Sequence, residues 1–529
     1  MRRLRQVESA AVVDVVDEKF AAPAPVGSWH LEVLRLQPLL IELVALLSLT
    51  GVAALAFGRG LRAGTVFDEG VYLASLDALE HGQKLGSEVF ASQAPGFYAL
   101  LETERAIFGG SVVAMRVAML VLALVGCIAA YYVGRCIAGP LGGFLALALM
   151  ATSSSVENEA VRVRADMPSV ALSLMAIAGA LFAAKRRGGA GLLAAMFAGG
   201  ALAAAISVKL LAVAAVVPVL AIVLRGPGRP LAAALGAGAG GVVAALVAFD
   251  ASVLGPLWND VVRFHLKAES AHIYGAPTDF RGNVAKVVGA VAGFHGLLSP
   301  FPWLVLVGGA GTLLAWRRRQ LLAALPLWLW ATASGAILVL HKPLWAHDVV
   351  PLSVSLAVAS GLGIATLMVQ SRLVPRVVAA GCVLLVAVTI AHDVQQTTGG
   401  ESPGIKWAAT VLRTRTPPGS EVVSDLPIIP FLADRRQPGT LVDTSWTRLG
   451  SGWLTEAEVL RTIDRHHVSA VIVGHNFAGY PTLLRALRIR FPVILRRERV
   501  SLPGEGRVEV RIYLPADSRS VGATLDHSS

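Results

Sequence analysis

Eleven runs of apolar residues, separated by polar segments, constrain this chain more than any other feature. They occur near residues 38–58, 112–134, 138–153, 166–184, 190–207, 210–224, 231–250, 298–315, 321–340, 347–369 and 376–392. A helix needs about 20 apolar residues to cross a bilayer, so the short third, fifth and sixth runs leave the count open by one or two. Hydrophobic residues make up 55% of the chain, charged residues only 15%, and the mean hydropathy is +0.65. This composition excludes a water-soluble globular protein and predicts an α-helical polytopic membrane protein with about 11 transmembrane helices.

Basic residues indicate which ends of the apolar runs lie in the cytoplasm. The formal net charge is +11, but lysines and arginines lie in short clusters between the runs, which does not indicate nucleic-acid binding. With the N-terminus inside, the inner loops contain Arg135, residues 185–187, Arg225, Arg229, residues 317–319, Arg372 and Arg376. The short outer loops contain only Arg162, Arg164, Lys209 and Lys342. This excess follows the positive-inside rule and predicts a multi-pass protein of the plasma membrane with a cytoplasmic N-terminus.

The same topology divides the chain into three parts. Residues 1–37 lack a cleavable apolar core and predict a cytoplasmic tail. Residues 38–392 form the predicted transmembrane domain, whose outer loops include 59–111, with the spacing of interfacial helices, and 251–297. Residues 393–529 predict an extracytoplasmic α/β domain, with strands at 420–425, 468–473 and 508–513 and helices at 455–465 and 481–490. The Ala- and Gly-rich stretch 186–245 predicts closely packed helices.

Polar residues suited to chemistry gather at the predicted outer ends of the apolar runs. Asp68 and Glu69 follow the first run, within the sequence Phe-Asp-Glu-Gly-Val-Tyr of residues 67–72, and Gln-Ala-Pro-Gly-Phe-Tyr occupies residues 93–98. The other members of this group, further along the chain, are Arg162, Arg164, Asp166, Lys209, Lys342 and His347. Charged groups beside a bilayer are costly to desolvate, so their concentration on one side indicates a function.

A cleft that combines these groups suits the transfer of a sugar from a lipid-phosphate donor. A carboxylate can take the proton of an acceptor hydroxyl as it attacks an anomeric carbon, and cations can stabilise the departing phosphate. A polyprenyl tail on the donor would explain the location in a bilayer. Each of these groups also has a purely structural interpretation. Asp68 and Glu69 could lie in a solvated loop, Arg162, Arg164 and Asp166 could form an intramembrane salt bridge, and His347 could form a hydrogen bond at the start of a helix. Asp68 and Asp166 also suit a divalent cation if they meet in space, although no ligand spacing requires one.

The order and spacing of these motifs resemble the polytopic polyprenyl-phosphate-sugar glycosyltransferases of the GT-C fold. That group contains protein O-mannosyltransferases and bacterial lipid A aminoarabinose transferases. The likeness spans about residues 38–392 and is most specific at residues 67–72, continuing at 93–98, 162–168, Lys209 and 341–351. It implies an inverting hexosyl- or pentosyltransferase. The implied reaction moves a sugar from polyprenyl phosphate to a glycan, lipid or protein of the cell envelope on the outer face of the membrane.

The resemblance also implies roles for single residues. Asp68 is the expected general base, Glu69 its support and Asp166 a further acidic residue of the site. The donor phosphate is expected to contact Arg162, Arg164, Lys209, Lys342 and His347. The substrates are expected to contact Tyr72, Gln93, Pro95 and Tyr98. Three features depart from the pattern: the first-loop motif has one proline, Pro95, where relatives often have two, Gln93 stands where many have histidine or lysine, and Asp348 where several have tyrosine or arginine.

Two other functions fit a polytopic chain. A transporter or lipid flippase would show internal repeats and acids within the spans, whereas the acids here lie at one face. A non-catalytic envelope assembly protein would act through its outer domain. The polar candidates in that domain are Asp425, Asp443, His466, His467 and His475. We expect the domain to recognise the acceptor or to cover the donor cleft.

Overall fold

The computed structural model describes most of the chain. The described residues are 28–225, 228–249, 255, 258–269, 279–292, 299–315, 321–370, 372–395, 399–502 and 506–516. Residues 1–27 of the predicted tail, residues 270–278 of the 251–297 loop and the arginines at 317–319 lie outside them. The chain forms two compact units, Met1–Leu47 and Ser48–Ser529. The described part of the first unit is helical, and every site below belongs to the second.

The described part of the first half of the chain is mainly helical. In order the helices are α1 (Ser28–Gly58), α2 (Phe67–Glu80), α3 (Pro95–Phe108), α4 (Val112–Ala151), α5 (Ser154–Glu159), α6 (Asp166–Lys185), α7 (Gly189–Val208), α8 (Val216–Val223) and α9 (Arg229–Phe249). A 3-10 segment, Leu210–Ala215, joins α7 to α8. The helices expected in the 59–111 loop are α2 and α3, and each packs apolar side chains such as Leu73 and Leu101 into the protein.

The second half continues with helices and ends in a mixed α/β region. A π-helical segment, Trp258–Arg263, precedes α10 (Phe264–Glu269), α11 (Phe280–Ala292), α12 (Pro300–Ala315), α13 (Leu321–Leu340), α14 (Val350–Met368) and α15 (Leu373–Gln395). The C-terminal helices are α16 (Pro403–Arg415), α17 (Ile428–Leu432), α18 (Trp446–Gly450), α19 (Glu456–His466), α20 (His475–Ala478) and α21 (Pro481–Arg490).

Several of these helices are long and apolar enough to cross a membrane. Within the described residues there are eight: Gln37–Arg62, Val112–Ala151, Asp166–Lys185, Gly189–Val208, Pro230–Val247, Ala323–Leu340, Ala346–Met368 and Leu373–Gln395. Leu210–Val223 and Pro300–Leu314 are shorter apolar helices. Helix α4 contains the second apolar run and most of the third, and it leaves helical geometry at Ala138 and Gly139, just before Pro140. The polytopic α-helical class is confirmed, whereas the count of eleven spans stays a prediction.

Small residues allow α7 and α9 to pack closely. An added Cβ on Gly199 of α7 would lie 1.9 Å from the carbonyl oxygen of Leu235, and one on Gly238 of α9 would lie 1.8 Å from that of Met196. A larger residue at either position would force the two backbones apart. The Ala- and Gly-rich stretch therefore packs as the sequence predicts.

A four-stranded sheet forms the centre of the C-terminal layer, which we define as residues 399–516. Its strands are β1 (Val422–Ser424), β2 (Ala470–Val473), β3 (Val493–Leu502) and β4 (Gly506–Leu514), in the order β1-β2-β4-β3. β1 and β2 are parallel, and β4 is antiparallel to β2 and β3. The three predicted strands overlap β1, β2 and β4, and the two predicted helices overlap α19 and α21. The sequence did not predict β3, because the charged residues 496–499 interrupt its apolar pattern.

Helices α2 and α3 share a hydrophobic core with the sheet. The buried side chains of Leu73 and Phe97 belong to the same cluster as Val422 and Ile472. The start of α2 also lies against α17, since an added Cβ on Gly70 would be 2.7 Å from the backbone nitrogen of Ile428. The C-terminal layer therefore packs directly on α2, whose first turn contains Asp68 and Glu69. A domain boundary at residue 393 stays a prediction, because both parts lie in the compact unit Ser48–Ser529.

Candidate active site

Asp68 lies in the first turn of α2 and lines a cavity. The turn begins after Val66, whose backbone N–H donates a hydrogen bond to Glu69 Oε2 at 3.1 Å. The Asp68 side chain is 30% exposed, and its Oδ2 atom lies 2.8 Å from Arg164 Nη2 and 4.0 Å from His347 Nε2. The expected base is therefore accessible from the cavity, with basic groups on one side of its carboxylate.

Glu69, in contrast, is fully buried and is not part of the cavity wall. Arg116 donates two hydrogen bonds to Glu69, from Nε to Oε1 at 2.9 Å and from Nη2 to Oε2 at 2.7 Å. Arg162 donates a further hydrogen bond to Glu69 Oε2 at 2.8 Å. The backbone N–H of Val163 donates to Oε1 at 3.2 Å. Burial alone would raise the pKa of Glu69, but the hydrogen bond and charge of Arg116, then the charge of Arg162, lower it to about 2. Glu69 thus joins α2 to α4 and to the loop before α6.

Lys209 joins two buried carboxylates from distant parts of the chain. Its Nζ atom lies 2.5 Å from Asp166 Oδ1, at the start of α6, and 2.8 Å from Asp348 Oδ1, just before α14. The other oxygen of Asp348 accepts a hydrogen bond from the backbone N–H of Trp345 at 2.8 Å. Lys209 and Asp348 line the cavity, whereas Asp166 does not. This buried trio carries one net negative charge and holds the ends of three helical segments together.

The arginines of the loop before α6 are paired with acids. Arg164 Nη1 donates to Glu159 Oε1 at 2.9 Å while Nη2 contacts Asp68, and Arg162 contacts Glu69. Burial lowers the pKa of Arg164, but the charges of Glu159 and then Asp68 outweigh it and raise the pKa. Both arginines line the cavity, and carboxylates already balance their charges.

Further cations approach the cavity from the loop before α14 and from α11. Lys342 lines the cavity and makes no ion pair with any residue that the structure describes. His347 Nε2 lies 3.8 Å from Asp348 Oδ1. Lys286 of α11 also lines the cavity, with Nζ 5.2 Å from the centre of the Trp345 ring, and burial lowers its pKa. Lys286 is not recognisable as a site residue in the sequence, because a single lysine in a helix forms no motif.

The four residues expected to contact substrate separate into two pairs. Gln93 Nε2 donates to Tyr72 Oη at 3.1 Å, and both residues line the cavity. Pro95 begins α3, and Tyr98 is only 1% exposed; neither is part of the cavity wall. Of residues 93–98, Gln93 therefore lies in the site, whereas Pro95 and Tyr98 belong to the first turn of α3, which packs inside the protein.

The cavity has a volume of about 1140 Å³ and combines residues from both halves of the chain. The C-terminal layer contributes a surface that we call the C-terminal wall, formed by Asp443, Ser445, Trp446, Thr447, His475 and Asn476. Asp443 and His475 are among the polar candidates predicted from the sequence. The other four residues are not, since no local pattern marks them and only tertiary packing brings them to the helix ends.

The other polar candidates of the C-terminal layer have structural contacts and are not part of the cavity wall. Asp425 accepts hydrogen bonds from the backbone N–H groups of Gly474 and Phe477 at the start of α20. His466 Nδ1 lies 2.7 Å from Glu421 Oε2. His467 ends α19 in the left-handed conformation, with φ of 46°.

The acidic residues considered for a divalent cation do not form a metal-type cluster in the described part of the chain. The group there with suitable spacing is Asp77, Glu80 and His81, and it includes neither Asp68 nor Asp166. The positive charge beside Asp166 is the ammonium group of Lys209.

The apolar helix bundle, the helices α2 and α3 and the cavity at the helix ends, which charged residues line, make up a membrane protein whose fold the structural comparisons identify as GT-C. The chain is similar to ArnT from Cupriavidus metallidurans bound to undecaprenyl phosphate, with a TM-score of 0.57 and 13% identity over 93% of this chain and 100% of that chain. The apo state of ArnT from the same organism gives a TM-score of 0.56 and 14% identity over 89% and 97%. These structures confirm the expected fold.

Two further comparisons agree with this fold. The archaeal oligosaccharyltransferase AglB from Archaeoglobus fulgidus, in complex with an inhibitory peptide and a dolichol-phosphate, is similar with a TM-score of 0.50 and 13% identity over 81% of this chain and 69% of that chain. Residues 92–253 match the family model described as dolichyl-phosphate-mannose-protein mannosyltransferase. A comparison with curated protein sequences found no match.

Proposed function

We propose that this protein is an inverting glycosyltransferase that moves a hexose or pentose from a polyprenyl-phosphate donor to a cell-envelope glycan, lipid or protein. The observation that carries the proposal is that one cavity contains an accessible carboxylate, Asp68, and a lysine, Lys342, that pairs with no acid among the described residues. The carboxylate can accept the proton of an attacking hydroxyl, and the lysine can stabilise the negative charge of a departing phosphate. ArnT and AglB were solved with undecaprenyl phosphate and dolichol-phosphate, which supports a donor of this class.

Asp68 acts as the general base in this reaction. The acceptor oxygen forms a bond to the anomeric carbon while the bond from that carbon to the phosphate oxygen breaks, and the hydroxyl proton passes to Asp68. Attack on the face opposite the phosphate inverts the anomeric configuration. The contact between Oδ2 and Arg164 orients the carboxylate so that Oδ1 can take the proton.

The contacts of the other charged residues divide them into those that bind the donor phosphate and those that hold other side chains in position. Lys342 and His347 bind the donor phosphate in our proposal, with Lys286 as a third cation that lines the same cavity. The remaining expected residues have buried ion-pair partners, so we assign them to positioning: Glu69, Arg162, Arg164, Asp166 and Lys209. Glu69 and Asp166 lie outside the cavity wall, which favours a supporting role over direct contact with substrate.

The proposed cavity opens on the extracytoplasmic face. In this orientation residues 1–37 are cytoplasmic and residues 393–529 form an extracytoplasmic α/β domain, as the positive-inside rule favours. A cysteine in place of the exposed Asp464 should react with a membrane-impermeant thiol reagent in intact cells. Reaction only after permeabilisation would contradict this orientation.

Binding of undecaprenyl phosphate to the purified full-length protein tests the donor assignment. Lys342→Ala should weaken binding by about tenfold or more, because a hydrogen bond to a charged group contributes about 1.5–3 kcal/mol. Lys342→Arg should retain most of the affinity, since the positive charge remains. The dissociation constant can be measured by native mass spectrometry of protein in lipid nanodiscs.

Lys406→Ala is the matched control, because Lys406 is an exposed lysine of α16 that does not line the cavity. It should bind undecaprenyl phosphate as the unmodified protein does. Absence of binding by the unmodified protein, or equal losses in the two alanine variants, would contradict the donor assignment.

A further inference from the structure

The C-terminal wall differs in charge from the rest of the cavity. Its side chains are a carboxylate, hydroxyls, an indole, an imidazole and a carboxamide, and no lysine or arginine of the described C-terminal layer lines the cavity. The cations Lys286 and Lys342 belong to α11 and to the loop before α14. A phosphate is therefore attracted to those segments, whereas the C-terminal wall suits a neutral ligand rich in hydroxyl groups.

Trp446 gives the C-terminal wall a fixed aromatic surface. Its half-buried indole donates from Nε1 to His475 Nδ1 at 3.3 Å, with ring centroids 5.2 Å apart and planes at 78°. An indole N–H is a donor only, so His475 Nδ1 accepts, and a neutral imidazole then carries its proton on Nε2. This hydrogen bond and packing against the buried cluster of Phe90, Phe264 and Ala268 orient the indole. The indole lines the cavity, where it can stack against a sugar ring.

Asp443 and Asn476 provide polar groups with fixed orientations on the same wall. Asp443 Oδ1 accepts from the backbone N–H of Ser445 at 2.8 Å, and Asn476 Nδ2 donates to the carbonyl oxygen of Thr444 at 2.9 Å. The two side chains are only 5% and 4% exposed, yet both line the cavity. A carboxylate accepts several hydrogen bonds, and a carboxamide both accepts and donates them, as the neighbouring hydroxyl groups of a sugar require.

The C-terminal wall also lies near the proposed base. Burial raises the pKa of Asp443, the charge of Arg448 opposes that increase, and the charge of Asp68 adds to it. Asp443 and Asp68 line the same cavity. A ligand that fills this cavity beside Asp443 can therefore present a hydroxyl group to Asp68.

We propose that the C-terminal wall is the acceptor subsite and that the acceptor is a neutral oligosaccharide. A sugar ring stacks on Trp446, and its hydroxyl groups bind Asp443 and Asn476. This inference rests on the proposed transferase function and narrows its acceptor to a glycan. The cavity of about 1140 Å³ exceeds the roughly 300–1,000 Å³ of a pocket for one small molecule, which leaves room for a donor headgroup and an acceptor sugar together.

Equilibrium binding to the purified full-length protein tests the subsite without any turnover. The probes are short linear oligosaccharides of mannose and of arabinose, a phosphorylated oligosaccharide and a peptide. Their binding to the protein in lipid nanodiscs is measured by saturation-transfer NMR. A neutral oligosaccharide should bind, and Trp446→Ala should weaken that binding by about tenfold because one buried aromatic contact is lost. Trp446→Phe should restore most of it, and Asp443→Asn, which keeps the shape, should weaken it severalfold.

Trp453→Ala is the matched control. Trp453 is a half-buried tryptophan of the same layer that packs against Phe264 and does not line the cavity, so its variant should bind oligosaccharide normally. Equal losses in the two alanine variants, or a preference for the phosphorylated sugar or the peptide, would overturn the assignment.

Undecaprenyl phosphate binding in the same samples separates loss of the subsite from misfolding. The affinity for undecaprenyl phosphate should be unchanged in Trp446→Ala. If that variant binds neither ligand, the Asp443→Asn and Trp446→Phe variants decide whether the C-terminal wall binds oligosaccharide. Oligosaccharide binding that depends on Trp446 in a protein that transfers no sugar would refute the transferase proposal and leave the subsite intact. Sugar transfer that is independent of Trp446 and Asp443 would refute the subsite alone.

Discussion

At the scale of single residues, burial gives two adjacent carboxylates different roles. Asp68 is partly exposed and lines the cavity, whereas Glu69 is buried against Arg116 and Arg162. The position of both acids after the first apolar run is visible in the sequence. The ion-pair partners of these acids are not visible in the sequence. Arg116, for example, is 47 residues from Glu69 along the chain, and only folding brings the two together.

Glu69→Gln should destabilise the protein and change how its stability depends on pH. The pKa of Glu69 falls from 4.5 to about 2 in the folded protein, so its ionised form stabilises the fold above about pH 4.5, and this contribution is lost as the pH falls toward 2. The shift corresponds to about 3 kcal/mol, and removing one partner of a buried ion pair costs about 3–5 kcal/mol. Thermal unfolding in detergent between pH 7 and pH 2 measures both effects.

The variant Glu88→Gln is the control for this experiment, since Glu88 is exposed. Its melting temperature should follow that of the unmodified protein at every pH. A Glu69→Gln protein that melts like the unmodified protein at pH 7 would show that the buried pair does not hold α2 in place.

At the scale of elements, the contact between α2 and α17 places the proposed base beside the C-terminal layer. Gly70 allows this contact, because any side chain there would meet the backbone of Ile428. The sequence predicts helices in the 59–111 loop and an α/β region after residue 393, but it does not show that these two parts are in contact. Hydrophobic periodicity shows which face of an element is apolar and does not show which neighbour covers that face.

Gly70→Ala should move α17 away from α2 and lower both stability and turnover. Overpacking of this kind costs about 1–3 kcal/mol, and a displaced α2 would also shift Asp68 relative to Arg164. Melting temperature and sugar transfer, measured on the same purified sample, test this. Gly381→Ala in α15 is the control: its added Cβ meets no atom within 4 Å, and alanine favours a helix, so the variant should be at least as stable. Equal behaviour of the two variants would mean that α2 and α17 are not in close contact.

At the scale of the whole molecule, the sequence predicts the class and the fold better than it predicts which residues form the cavity. Runs of about 20 apolar residues have one stable outcome in a bilayer, and the 67–72 motif indicated the GT-C fold that the structural comparisons confirm. Asp348 looked like a departure from the pattern, yet it pairs with Lys209 across 139 residues of sequence. Lys286 and Trp446 reach the cavity through packing alone, which no local spacing could reveal.

The most direct test of the proposed transferase is the ability of Asp68→Asn to replace the unmodified protein in a strain that lacks it. Envelope glycans and polyprenyl-phosphate sugars are measured together by mass spectrometry, with Asp464→Asn, an exposed acid of the C-terminal layer, as the control. Loss of a general base lowers the rate by about 100-fold or more, so Asp68→Asn should leave the acceptor unmodified and let the donor accumulate, with normal membrane levels of the protein. Full glycan modification by Asp68→Asn at the same protein level would contradict the account.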